Sequence, residues 1–299
     1  MAPNDDTEES EPGAKVPTAA TKQAWNNDAV SAVHKLWELT PEEQQDLSAL
    51  MEKLSHIDHW KNCPDTVVRF LRARPGDVDA AATMFETMIQ WRRDNQVDTI
   101  LDDYDPPTLL KEKFPGTMMD GLDKDGDPIY IGRLGATDAD GFIARFGEAE
   151  MLRHAIWVRE LITRGEWISD YEQRQGRPVK RITIIEDLHG LSLMPSRAML
   201  SLYGKVMRLD QDNYCETAKK LIIVRAPFVF RAIWGIVKHF FDPGVVDKMV
   251  FTSSSDYQTV LDEYMERDVL PPCICAEGKG KLAVGMYSNL EGGRIPLEE

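Results

Sequence analysis

Ile182-Thr183-Ile184-Ile185, followed by Glu186-Asp187-Leu188-His189-Gly190-Leu191-Ser192, is a strand-length apolar run that ends in two acids and a glycine. A continuous run of this kind, without polar alternation, is expected of a strand covered on both faces. Three further runs share its length and character: Ile129-Tyr130-Ile131, Leu221-Ile222-Ile223-Val224 and Met249-Val250-Phe251. Helical patterns lie around residues 147–165, 195–210 and 229–241, and another follows the last run at 255–266. The alternation predicts an α/β domain with a mixed or parallel sheet under helical cover.

Upstream, the pattern is helical throughout. In Thr40-Pro41-Glu42-Glu43, Thr caps, Pro takes the first helical position and Glu43 completes a capping box, so order is expected to begin there. Leu47, Leu50, Met51, Leu54 and Ile57 recur at helical spacing; a second helix runs through Val67, Val68, Phe70 and Leu71, and a third from Val78 to Ile89. Residues 40–95 therefore read as a compact helical module, and a linker at Asp105-Pro106-Pro107 leads into an α/β domain over 106–282. Residues 1–27 form an acidic tail too polar to pack, and residues 283–299 a Gly-rich, acidic and loosely attached one.

Composition narrows the function. The 299 residues hold 35 Lys plus Arg against 50 Asp plus Glu, a net charge of −15, which argues against nucleic acid as a partner. With 42% apolar and 28% charged residues the chain belongs with globular proteins. The N-terminus lacks the basic and apolar regions of a leader, which places the protein in the cytoplasm. No stretch reaches the roughly 18 apolar residues of a spanning helix. The most apolar one, Val229–Phe241, contains Arg231 and Lys238. Cys63, Cys215, Cys273 and Cys275 form no CxxC pair, as expected of reduced structural thiols, and no metal site is expected.

Several motifs fail on inspection. Asp123-Lys124-Asp125-Gly126-Asp127 suggests a calcium loop, but alignment on Gly126 puts Gly121 and Gly132 where carboxylates are required, so a tight turn is expected. Gly278-Lys279-Gly280-Lys281 lacks the first glycine and the hydroxyl residue of a phosphate loop. Gly190-Leu191-Ser192-Leu193 lacks the second glycine of a nucleophile elbow. His56 and His59 read as solvated surface, while Asp187 with His189 at a strand end offers an enzyme too few groups to define a reaction.

Taken in order, Val68-Arg69-Phe70-Leu71-Arg72-Ala73-Arg74, Asp125-Gly126-Asp127-Pro128-Ile129-Tyr130, the Glu186–Ser192 segment, Ala226-Pro227-Phe228 before Val229–Phe241, and Leu270-Pro271 resemble the CRAL-TRIO family. The order and spacing are similar to those of its phosphatidylinositol transfer proteins, over residues 40–282. The resemblance implies a helical module packed on a CRAL-TRIO-type mixed sheet that floors an apolar lipid pocket, with binding in place of catalysis. It further implies a gate helix that opens at membranes. The matching stretch puts Phe230, Ile233, Trp234, Val237 and Phe241 on one face, with Arg231 and Lys238 placed for anionic headgroups.

By the same resemblance, Arg74, Glu216 and Lys248 match the family's phosphatidylinositol headgroup residues, a carboxylate for inositol hydroxyls and two cations for phosphate. Pro75 and Val245 replace a basic and a hydroxyl neighbour, which weakens phosphate affinity. Ile182 and Ile184 stand where phosphatidylcholine carriers use polar side chains, which removes support for that ligand. Arg225 replaces an Asn, and Pro272-Cys273-Ile274-Cys275 replaces a Gly-Gly in the segment expected to close the pocket. The expected partners are thus a phospholipid or another hydrophobic small molecule and, transiently, a membrane surface. No cofactor is expected beyond the bound lipid. Haem, ligated by Tyr203 or His189, a ligand-sensing regulatory module and an α/β enzyme are the alternatives.

Overall fold

The structure, a computed structural model, describes residues 27–191, 196–228, 230–241, 243–283 and 286, and the side chains of 231–233 and 237 lie outside that description. Ser192, Val229, residues 1–26 of the expected acidic tail and nearly all of the expected C-terminal tail also lie outside the described residues.

The helical module comprises α1 (Asn27–Trp37), α2 (Pro41–Lys53), α3 (Pro64–Ala73) and α4 (Val78–Asp94). The expected start at Thr40 is corrected, because α1 precedes it and buries Trp37 completely. Val30, Val33 and Trp37 share one face of that helix, and the Trp37 indole N–H donates to Asp65 at 2.9 Å. The capping box forms as expected: Glu43 N–H donates to Thr40 Oγ1 at 3.2 Å and Thr40 N–H to Glu43 Oε2 at 2.9 Å. Asp77 caps α4 by accepting Ala80 N–H at 2.8 Å. Leu47, Leu50, Val67, Val68 and Phe85 are fully buried between these helices.

The larger lobe contains α5 (Ile100–Asp103), α6 (Thr108–Lys113), β1 (Gly116–Leu122), β2 (Pro128–Gly132), α7 (Ala139–Arg164), α8 (Glu166–Gln175), β3 (Ile182–Asp187) and α9 (Arg197–Asn213). It continues through β4 (Ala218–Val224), α10 (Phe230–Val237), α11 (Pro243–Val246), β5 (Met249–Phe251) and α12 (Tyr257–Tyr264). Among the described residues the sheet runs β1-β2-β3-β4-β5, with β1 antiparallel to β2 and the other neighbours parallel. All four runs read as strands are strands. β1 escapes a reading based on apolar runs because Gly116, Asp120 and Gly121 interrupt it, yet Gly116 is required: a Cβ there would lie 1.8 Å from the Tyr130 hydroxyl.

Turn chemistry settles the rejected calcium motif. Asp123–Asp127 is the turn between β1 and β2, with Gly126 at φ +79° and Asp123 Oδ1 accepting the Asp125 and Asp127 amides at 3.0 and 2.8 Å. The three carboxylates surround Lys219 Nζ at 2.7–2.8 Å, so a protein ammonium supplies the cation.

One face of the sheet is packed. Ile129, Ile131, Ile185, Ile222 and Val224 meet Leu261 of α12 and Leu270, Ile274 and Cys275 beyond it. Arg225 ties this layer down, donating to Asp187 Oδ1 at 2.9 Å, Asp187 Oδ2 at 2.5 Å and the Cys273 carbonyl at 3.0 Å. The two departures at Arg225 and at residues 272–275 therefore answer each other. That segment packs on the face away from the pocket, which corrects the expectation that it closes the pocket.

Module and lobe meet at a buried ion pair. Glu160 of α7 accepts Arg92 Nη1 and Nη2 at 2.9 and 3.0 Å, Arg164 Nε at 2.6 Å and the Tyr214 hydroxyl at 2.6 Å. Arg92 also bonds Asp98, which accepts His59 Nε2 at 2.8 Å, so His59 belongs to this junction and not to solvated surface. Glu160→Ala leaves the Arg92 guanidinium buried with half its partners, and it should lower the unfolding free energy in urea titration by about 3–5 kcal/mol. A loss within about 0.5 kcal/mol, the range of ordinary surface changes, would show that the junction does not hold the molecule together.

Candidate functional site

Side chains alternate along a strand, so the packed face of the sheet leaves Ile182, Ile184 and Glu186 of β3, with Leu221 and Ile223 of β4, pointing the other way. They line a cavity of about 820 Å³. The facing wall comes from α7, α9 and α10, including Phe142, Tyr203, Val206, Phe230 and Trp234. These walls are largely aromatic and aliphatic, the composition of a site for an apolar molecule.

Arg74, Glu216 and Lys248 all reach this cavity, from α3's C-terminal end, the loop before β4 and the turn before β5. Glu216 adopts a left-handed φ of +56°, and its carboxylate accepts Lys248 Nζ at 2.7 Å and a hydrogen bond from Arg181. Burial pushes the Glu216 carboxyl up, but Lys248 and Arg181 outweigh it and hold the group below the ordinary carboxylate value. Arg69 fixes the loop through the Glu216 carbonyl at 3.1 Å. Arg74 Nη1 donates to the Ala73 carbonyl at 2.7 Å, and no acid pairs with it among the described residues. Sequence reading missed Arg181, which precedes an apolar strand and carries no motif of its own.

The expected gate stretch divides in two. The helix α10 ends at Val237 and a 3₁₀ turn over Lys238–Phe240 follows, which corrects the single helix expected to Phe241. Phe230, Trp234 and Phe241 line the cavity, while the side chains of Ile233 and Val237 lie outside the described residues. Trp234 packs edge-on against Phe251 of β5 with ring centres 4.7 Å apart, and Phe230 stacks on Trp234 at 6.2 Å. Ile236 of α10 is 55% exposed and Phe228, two residues before the helix, 84%, so this segment presents apolar side chains to solvent as well as to the cavity.

Two polar features of the wall carry no sequence motif. Arg159 of α7 and Asp210 of α9 form a bidentate pair at 2.7 and 2.9 Å. Glu186 accepts Leu134 N–H at 3.0 Å through Oε1, and period-two spacing from Ile182 and Ile184 is the signal that places it on this wall. Burial pushes its carboxyl up to about 7, against the pull of the Leu134 amide. His189 is exposed and off the cavity wall, whereas Tyr203 is on it, and burial pushes the Tyr203 phenol well up.

Comparison with known proteins agrees with this architecture. The profile described as "CRAL/TRIO domain" matches residues 116–273, and "CRAL/TRIO, N-terminal domain" matches residues 19–87. The chain is 34% identical over 236 residues to "SEC14 cytosolic factor" of Eremothecium gossypii, covering 78% of this chain and 76% of that protein. It is 33% identical to "Phosphatidylinositol/phosphatidylcholine transfer protein SFH4" of Arabidopsis thaliana, covering 72% of this chain and 36% of that one. "Protein real-time" of Anopheles gambiae is 32% identical over 82% of this chain, which spans only 36% of that longer relative. Among solved structures, "Crystal structure of Sfh5" superposes with a TM-score of 0.59 at 15% identity, over 91% of this chain and 96% of that chain. The fold and its cavity are those of a CRAL-TRIO protein. This chain belongs to that family, and its similar proteins include phosphatidylinositol/phosphatidylcholine transfer proteins.

The raised Glu186 carboxyl gives a pH prediction. The folded protein holds this proton more tightly than the unfolded chain, so Glu186 costs stability progressively as pH rises from the ordinary value of 4.5 to about 7, and the cost is constant above that. Glu186→Gln should therefore stabilise the protein more at pH 8 than at pH 5, by about 1–3 kcal/mol. Denaturant titrations at the two pH values measure the difference, and an equal effect at both would show that Glu186 titrates as a solvated acid.

Proposed function

We propose that this chain is a cytosolic lipid-transfer protein that encloses one phosphatidylinositol molecule and exchanges it at membranes through movement of α10. The observation that carries this reading is the combination of a cavity of about 820 Å³, largely apolar in its lining, with Arg74, Glu216 and Lys248 together on its wall. A carboxylate accepts inositol hydroxyls, and Lys and Arg neutralise a phosphate. Lys248 has three donors and gives one to Glu216, so it has others for a ligand, and Arg74 has no competing acid among the described residues. Ile182 and Ile184 offer no polar atom to a choline headgroup at their end of the strand. The relative named for phosphatidylinositol and phosphatidylcholine transfer supports the class.

The exposed Phe228 and Ile236 support a transient membrane contact, since an apolar outer face gains by entering the bilayer interface. No described helix is long and apolar enough to cross a membrane. A non-catalytic role agrees with Asp187, whose carboxylate is taken up by Arg225 and the His189 backbone N–H. Haem is disfavoured because Tyr203 would have to ligate as a phenolate, the form that burial opposes.

Transfer of labelled phosphatidylinositol between vesicles tests the reading. Wild type should transfer it, and Glu216→Ala and Lys248→Ala should each reduce transfer by about tenfold or more, since each removes a charged group that would hold the headgroup. No transfer by wild type, or equal rates in all three, rejects the headgroup assignment. The gate has its own test: Phe230→Ala with Trp234→Ala should slow exchange to vesicles several-fold beyond any change in thermal stability. Unchanged exchange at unchanged stability would mean that α10 is a fixed wall.

A further inference from the structure

Outside the cavity, the outer end of the junction between module and lobe gathers three cations around one indole. Trp60, 37% exposed, has Lys61 Nζ 4.5 Å from its ring centre, Arg92 Cζ at 5.2 Å and Arg164 Cζ at 5.8 Å. The two guanidiniums are engaged by Glu160, Asp98 and backbone carbonyls. Lys61 is not: among the described residues no carboxylate pairs with its ammonium and no acceptor takes its protons. Lys53, Lys205, Lys219 and Lys248, by contrast, each face at least one carboxylate. The backbone that presents Lys61 is fixed on both sides. Its amide donates to His59 Nδ1 at 3.1 Å, its carbonyl accepts the Cys63 amide at 2.8 Å, and Asn62 Nδ2 donates to the Leu54 and Ile57 carbonyls, each at 2.9 Å. Lys61 itself is half-buried, so a small reagent reaches it from solvent.

We infer that Lys61 is a covalent modification site, whose amine takes a short acyl group from a thioester. A lysine becomes a nucleophile when it is desolvated or set beside another cation, because both conditions favour the neutral amine. Lys61 meets both, with the Trp60 ring against it and Arg92 and Arg164 at the same ring. Burial pushes its ammonium down to about 8; Glu160 and Cys63 oppose the shift, while Arg92 and Arg69 add to it. At pH 7 roughly one such amine in ten is unprotonated, against roughly one in three thousand at the ordinary value of 10.5. In the reaction the Nζ lone pair attacks the thioester carbonyl carbon, the C–S bond breaks with its electron pair on sulfur, and the nitrogen gives up a proton to the departing thiolate. The products are a secondary amide and a thiol. The junction accommodates the loss of charge. Arg92 and Arg164 balance Glu160 and Asp98 without Lys61, so acylation leaves each of those ion pairs in place.

The test incubates the full wild-type chain with N,S-diacetylcysteamine, a small uncharged thioester, and follows acetylation of each lysine by peptide mass spectrometry between pH 6 and pH 10. Each series is run in buffer and in urea sufficient to unfold the protein. Lys53, exposed at the end of α2 and paired with Asp79 at 2.8 Å, is the internal reference. At pH 7 the folded protein should acetylate Lys61 faster than Lys53 by about tenfold or more, the weaker basicity of the Lys61 amine offsetting part of its advantage in neutral form. The Lys61 rate should level off above about pH 8, while that of Lys53 still rises. In urea both differences should vanish, because the unfolded chain places neither lysine beside a ring or a guanidinium. Acetylation of Lys61 no faster than that of Lys53 in the folded protein overturns the inference. So does an advantage that survives unfolding, which would belong to the neighbouring sequence and not to the junction. Lys61 does not line the cavity, so neither result bears on the lipid-transfer reading.

Discussion

Glu160 gathers donors from Arg92 on α4, Arg164 on its own helix and Tyr214 after α9, and through them the helical module, the long helix of the lobe and the loop before β4 share one buried carboxylate. Burial pushes that carboxyl up, and the Arg92 guanidinium, assisted by Lys61 and Arg164, overcomes it and keeps Glu160 ionised. A charge so deeply placed tolerates only a narrow geometry, because losing any partner leaves another charge desolvated and alone. The consequence reaches the cavity. Tyr214 is two residues before Glu216, so the hub that joins module to lobe also sets where the Glu216 loop begins.

Around that hub the sheet divides its labour by parity. Odd positions of β3 and even positions of β4 are consumed by the layer under α12, and the opposite set is left to bound an open volume. Such a volume persists only if its walls cannot collapse inward. The Arg159–Asp210 pair between α7 and α9, the Glu216 pairs with Lys248 and Arg181, and the packed rings of Phe230, Trp234 and Phe251 brace it from three sides. Of these, the aromatic brace at α10 lacks hydrogen-bonded ties between its side chains, which suits it to a moving part.

Much of the fold was legible because its signals are local. The Thr40–Glu43 capping box, the Asp123–Asp127 turn and the four apolar runs depend on neighbours within a few residues, and each forms as its residue types dictate. Elements defined by distant partners were not legible: β1 is a strand despite its glycines because Gly116 admits the Tyr130 ring, and α1 is ordered because Trp37 is buried against α3. Of the site, Arg74, Glu216 and Lys248 came from a resemblance in residue order, and only the folded chain brings them to one cavity from three separate elements.

The sequence by itself determined the helical module, the α/β character of the lobe and the absence of any long apolar span, since periodicity, caps and hydropathy are properties of neighbouring residues. It also contained, unread, the period-two spacing that puts Glu186 beside Ile182 and Ile184. Only the tertiary structure decided that one covered face of the sheet is packed and the other encloses a cavity. A buried strand reads the same whether its neighbour is a side chain or a space for a ligand. Ion pairs follow the same logic: Arg92 with Glu160, Arg225 with Asp187 and Arg181 with Glu216 join residues between 35 and 68 positions apart. Attraction between charges depends on distance in space, and chain order carries no record of it.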